Sequence, residues 1–203
     1  SAKDPYAVTN IPILVNNYAE AAEQLGFSDN FKDYTLCQSI DASFRVLNVA
    51  PIILINVLDP KKHKKNNAEK TVNVAAKQAT LEEQGIIPDT LIVKESEATL
   101  TAGTDYITSF NEKGLLQITL IEGSAHAGAT QLKVTSTSID PTMVQTQDII
   151  GGYDPVSGKE TGLELIRQVY PKFNMTPGLL LAPGWSHIPE IGAVLGAKCG
   201  EIN

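Results

Sequence analysis

Apolar positions in this chain fall into two styles, continuous runs toward both ends and alternation in the middle. "IPILV" at 11–15 is a continuous apolar run, and "PIILINVL" at 51–58 is apolar but for Asn56 and the prolines, the pattern of strands buried on both faces. Two helices are predicted between them. Asn17 with Glu20 starts the first, over the alanine-rich "YAEAAEQL", and Gly26 stands where a left-handed residue ends it. Thr35 with Gln38 is a second capping pair, and Leu36, Ile40, Phe44 and Leu47 recur at spacings of four, four and three, which turns one stripe to a core. Strand, two helices, strand reads as a right-handed parallel crossover.

From about Lys61 to Gln147 the helical stripes give way to period-two alternation. Leu116, Ile118 and Leu120 alternate with Gln117, Thr119 and Ile121, and Tyr106, Thr108 and Phe110 share one face of the preceding strand. "NEKG" joins the two as a hairpin, with Gly114 available for positive φ. "TLIVKE" and "QLKVTST" predict further strands, so this stretch reads as an antiparallel all-β module. Helical spacing returns after "IIGGYDPVSGKE". Thr161 with Glu164 starts a helix carrying Leu163, Ile166, Val169 and Tyr170, which Pro171 stops. "PGLLLAP" at 177–183 predicts a third buried strand, and a last helix places Ile188, Ile191, Val194 and Leu195 on one face, with Pro189 in its first turn. The expected fold is therefore α/β, an open parallel-type sheet flanked by helices. Residues 1–60 and 148–203 form a discontinuous core domain, and 61–147 an inserted antiparallel β-sandwich.

Composition narrows the function classes. A net charge of −7 and a pI near 5.0 argue against direct nucleic-acid binding, which needs clustered Lys and Arg. No apolar run reaches the ~20 residues of a bilayer span, so no membrane insertion is expected. Cys37 and Cys199 are read as one buried thiol apiece. The chain begins without Met and stops at "CGEIN" just after a helix, and is expected to be part of something longer.

Candidate chemistry is sparse. "GWSH" offers Ser186 beside His187, but a nucleophile elbow needs a second glycine two residues after the serine, and Ile188 stands there. Ser186 is better read as the cap of the final helix, and Trp185 as a packing anchor against the insertion or a subunit contact. "GSAHAGAT" at 123–130 carries His126 without the aspartate and serine that a protease would bring to it, and reads as a loop. "DPKKHKKNN" at 59–67 is a basic run lacking aromatics and arginine, expected to be a solvated junction loop with a protein contact as the alternative. His63, His126 and His187 are far apart in sequence, no C-x-x-C pair exists, and Gly151-Gly152 belongs to no phosphate loop. "SGKET" at 157–161 sets Lys159 near a helix start, a weak signal for an anion. No catalytic, cofactor-binding or metal-ligating residues and no cofactor are expected, and the chain is not read as an enzyme.

"NNYAEAAEQLGFSDNFKDYTLCQSI", "NVAPIILINVLDP" and "DIIGGYDPVSGKETGLELIRQVYPKFNMTPGLLLAPGWS" resemble the sheath proteins of contractile bacteriophage tails, over roughly residues 6–60 and 145–203. The resemblance implies a fold that is subtilisin-like without a catalytic triad, and a virion protein, in phages or prophages, assembled in the bacterial host cytoplasm. It implies other sheath subunits, the tail tube and the baseplate as partners, and a sheath that contracts to drive the tube through the host envelope. The arms that link neighbouring subunits in that family have no counterpart here. Two other readings are a host-surface or carbohydrate-binding role for the β insertion, and a serine hydrolase.

Overall fold

The computed structural model describes residues 6–111 and 113–202 of the 203. Residues 1–5, which begin the expected core domain, Glu112 of the "NEKG" hairpin and the terminal Asn203 lie outside the described residues. The chain separates into two compact units, one made of 1–63 with 141–203, the other of 64–140.

The first unit opens with β1 (Ile13–Val15), α1 (Tyr18–Leu25), α2 (Thr35–Asp41) and β2 (Ile52–Leu54). α1 forms as its local signals dictate. Asn17 Oδ1 accepts the Glu20 N–H at 2.9 Å, Glu20 reaches back to the Asn16 N–H at 2.8 Å, and Gly26 ends the helix at φ 68°. Burial pushes the Glu20 carboxyl up, but the Asn16 N–H, the largest influence, and the side chains of Asn16 and Asn17 hold it below the usual range.

α2 departs from expectation. Tyr34, not Thr35, precedes it, no side chain caps it, and it widens into a π-helical turn over Ala42–Val46. That turn shifts the stripe, so Ile40 is buried while Leu47 is exposed. The predicted parallel crossover is also corrected, because β1 and β2 pair antiparallel, Ile13 opposite Leu54 and Val15 opposite Ile52. Ile13, Val15 and Leu54 pack with Ala21 and Leu25 of α1 and Ile40 of α2.

The second unit contains β3 (Lys64–Asn73), β4 (Gln78–Gln84), β5 (Ile92–Glu95), β6 (Ala98–Thr99), β7 (Tyr106–Phe110), β8 (Leu115–Leu120) and β9 (Gln131–Ile139). They form two sheets, in the orders β3-β9-β5-β6 and β4-β8-β7, and every pairing is antiparallel. Leu116, Ile118 and Leu120 point inward as their alternation predicts, and share one core with Ala79 and Leu81 of β4, Val93 of β5 and Leu132 and Val134 of β9. Of the face predicted on β7 only Tyr106 is buried; Thr108 and Phe110 are exposed, since β7 is the edge of its sheet. Burial pushes the Tyr106 hydroxyl above its usual range. Further along β9 the inward positions become Ser136 and Ser138, and Asn67 Nδ2 donates to both hydroxyls, at 3.0 and 2.6 Å.

The chain then returns through α3 (Thr146–Ile150), β10 (Gly152–Asp154), β11 (Lys159–Thr161), α4 (Val169–Phe173) and α5 (Pro189–Glu201). "SGKET" is therefore a turn and a hairpin strand rather than a helix start, with Asp154 opposite Lys159. The Asp154 carboxylate accepts the Ser157 hydroxyl and the Val156 N–H, which lower its pKa and fix the turn. The predicted helix at 161–170 is a 3₁₀ segment, Gly162–Gln168, followed by α4, and no side-chain cap forms at Thr161. Pro171 does not stop it but lies in the first turn of α4, where N–H groups need no helical acceptor.

The third predicted strand, 177–183, is not formed. Ala182 is buried, Leu180 half-buried, and Leu179 and Leu181 are 74% and 64% exposed, so only one side of the run has packing partners. Without it, and with β1 antiparallel to β2, no parallel pair joins the named strands among the described residues. The architecture is mixed α/β, several small antiparallel sheets with few helices.

Candidate assembly surface

The sequence candidates for bond-making chemistry do not converge. Ser186 does not cap α5, whose preceding residue is Ile188; its backbone N–H instead donates to the Ala182 carbonyl at 3.0 Å within a turn. Ser186 and His187 are both exposed. His126 lies in the loop between β8 and β9, and its Nδ1 stands 2.6 Å from Glu95 Oε2 at the end of β5. Among the described residues no three His, Cys, Asp or Glu side chains group as metal ligands.

The basic run at 59–67 is not a uniform solvated loop. Asp59–His63 folds as a turn, Lys64 onward becomes the edge strand β3, and His63 is buried at 1% exposure. Lys62 pairs with Asp148, and Lys65 lies 4.0 Å from Asp140. Lysines along an exposed edge discourage a second chain from pairing there. Burial raises the Asp148 carboxyl, yet Lys62, the Gln145 N–H and His63 together outweigh it and hold that group below the usual carboxylate range.

Trp185 packs in the first unit's second cluster, around Leu163, Ile166, Ala182 and Ile191. The turn before it is tight, because a Cβ on Gly184 would lie 2.6 Å from the Thr35 methyl. Thr35 is thus used in packing rather than as a cap. Lys198 of α5 is buried at 5% exposure beside the same elements, held by Glu164 at 3.0 Å and Glu201 at 2.9 Å. Burial lowers its pKa, and the two carboxylates more than compensate. Arg167 pairs with Glu160 and Glu164, and a shallow groove runs past Arg167, Pro171 and Lys172. Cys37 is buried in α2, but Cys199 is exposed on α5, against expectation.

What the first unit presents to solvent is apolar in several places. Val46 ends the π-turn and Leu47 and Val49 follow it, Tyr153 and Val156 lie in the β10–β11 hairpin, and Tyr170, Met175, Leu179 and Leu181 lie between the 3₁₀ segment and the Pro183–Gly184 turn. Apolar side chains left outside a satisfied core are the raw material of an interface.

The chain is 28% identical over 200 residues to the tail sheath protein of Burkholderia phage BcepMu, an alignment covering 98% of this chain and 40% of that protein. This chain is related to a phage tail sheath protein. It spans about two fifths of the length of the curated relative it matches. No protein-family model matches the chain. No solved structure matches it.

Sequence reasoning missed Leu179 and Leu181 as surface residues because an uninterrupted apolar run looks the same whether one face is covered or two. It also missed the burial of His63, which depends on an aspartate 85 positions later.

Proposed function

We propose that this chain is a structural segment of a contractile phage tail sheath subunit, which polymerises around the tail tube and contracts to drive it through the host envelope. The alignment with a tail sheath protein over 98% of the chain carries this reading. Its partners are other sheath subunits, the tail tube and the baseplate; it assembles in the bacterial host cytoplasm and becomes part of the virion. The division of the chain into two compact units supports reading it as an α/β core domain interrupted by an inserted β-sandwich.

Such a role requires no bond-making. Contraction draws its work from two inter-subunit packings that differ in free energy, and the surface that matters is the one that repacks. The exposed apolar side chains at 46–49 and 179–181 suit contacts of that kind. The test is expression of the longer protein that contains this chain, followed by negative-stain microscopy over a range of salt concentrations. Tubes of regular diameter are expected. A longer protein that stays monomeric under every salt condition overturns the reading.

A further inference from the structure

Among the described residues the two sheets of the second unit end in β3, β6, β4 and β7. The first three of these edges are guarded. β3 carries Lys64, Lys65 and Lys70, and its register breaks between Asn67 and Lys70. β6 is two residues long. β4 carries Glu82 and Glu83, and its register breaks between Thr80 and Gln84. Charge, broken register and brevity each keep a second strand from pairing with an edge. β7 has none of them. Its sequence "YITSF" holds no charge and no proline, its register with β8 runs unbroken from Tyr106 to Phe110, and Ile107 and Phe110 are 55% and 42% exposed.

The pairing with β8 shows which backbone groups of β7 point outward. The Ile121 N–H donates to the Asp105 carbonyl at 2.8 Å, and the Asn111 N–H to the Leu115 carbonyl at 3.0 Å. Alternation between those two points turns the N–H and C=O of Ile107 and Ser109 toward β8, and those of Tyr106, Thr108 and Phe110 away from it. The Tyr106 carbonyl already accepts the Gly103 N–H at 2.8 Å. Thr108 and Phe110 remain as the outward rungs.

We propose that β7 pairs antiparallel with β7 of a second copy of this chain, about a two-fold axis at Ser109. That register sets Thr108 of each copy opposite Phe110 of the other, so both outward rungs of each copy exchange N–H and C=O. A register centred on Thr108 would use only one rung fully, because its next pair meets the Tyr106 carbonyl that Gly103 occupies. The Ser109 register also places Phe110 diagonal to Phe110 of the other copy, about 7–8 Å away and within reach of two aromatic rings. It runs the end of each strand that carries Asp105 toward the end that carries Lys113 in the other copy, a match of opposite charges. A pair related by a two-fold axis closes on itself, so this contact is separate from tube growth and does not rest on the sheath reading.

Sedimentation of the intact chain over a concentration series is expected to show a monomer–dimer equilibrium; a chain that stays monomeric up to about 1 mM overturns the proposal. Ser109→Lys and Ser109→Glu each set like charges opposite at the axis, and each is expected to weaken dimerisation roughly five- to tenfold. An equimolar mixture of the two is expected to restore it, because opposite charges then meet there. In the wild-type chain, amide exchange at Thr108 and Phe110 is expected to slow roughly five- to tenfold on concentration, the worth of about one hydrogen bond, with no change in α5. That measurement needs no variant to fold. A dimer that Ser109→Lys leaves intact, that the mixture fails to restore, or whose exchange protection falls outside β7 overturns the pairing.

Discussion

Replacing Gly151 by alanine probes the closest backbone approach in the first unit. Gly151 follows α3 at φ 74° and ψ −153°, a region that side chains almost never occupy, with a cost of about 1–3 kcal/mol. A Cβ there would also overlap the Thr161 carbonyl and lie 2.8 Å from Gly162 Cα. Relief requires β11 to move away from β10, which breaks the Gly152–Thr161 pairing at about 1 kcal/mol per hydrogen bond. The total expected loss is about 3–4 kcal/mol, a large part of the ~5–15 kcal/mol that holds a domain together. Gly158→Ala is the control, because φ there is 68° but nothing lies within 4 Å of a new Cβ; its loss is expected to be about 1 kcal/mol. Trp185, the single tryptophan, packs partly buried against a core cluster of this unit, so urea unfolding followed by its fluorescence reports the right part of the molecule. If Gly151→Ala loses no more stability than Gly158→Ala, the close approach is not what fixes glycine at that position.

Asp148 links stability to pH. Its folded pKa lies below the ordinary carboxylate value, so its contribution is fully present above that value and is lost as pH falls through the depressed one. Asp148→Asn is expected to flatten the acid limb of a plot of urea midpoint against pH, and to lower stability at neutral pH by about 1–3 kcal/mol. Ile118→Ala, at a fully buried position of β8, is expected to cost about 2–5 kcal/mol, read as faster amide exchange throughout β7, β8 and β4. Leu179→Asp with Leu181→Asp is expected to leave the unfolding free energy of this chain, from urea titration, within about 0.5 kcal/mol of wild type, since both side chains are exposed. In the longer protein the same pair is expected to reduce tube formation, scored by microscopy. In native protein a maleimide is expected to label Cys199 and spare Cys37, with the second thiol reacting only in denaturant.

The elements that the sequence predicted well are those whose signals are local. Asn17, Glu20 and Gly26 act within a few residues of each other, so α1 is written completely in its own segment. Leu116, Ile118 and Leu120 alternate because β8 lies between two neighbours and has one covered face, and that pattern survives whatever the neighbours are. Thr35 illustrates the opposite case. Its sequence context offers a cap, but its methyl group is needed against Gly184 in a turn 149 positions away, and packing takes precedence. Strand direction at β2 was likewise not local, since it shows only in the pairing with β1, about 40 positions earlier.

The candidate surface was hidden for a related reason, and the two leucines show why. In "GLLLAP" the residues say only that the segment avoids water; whether Leu179 and Leu181 meet their own core or another chain is decided by what lies opposite, and nothing in the segment encodes that. Within this chain Ala182 and Leu180 take the inward side, and the alternate positions remain outside. An isolated protein would gain solubility from polar residues at those positions at almost no cost in stability. Leucine there makes sense where the outward side is covered in the assembled state. Under the proposed sheath role the outward side is the one a neighbouring subunit would cover, which would account for a run that reads as a strand covered on both faces.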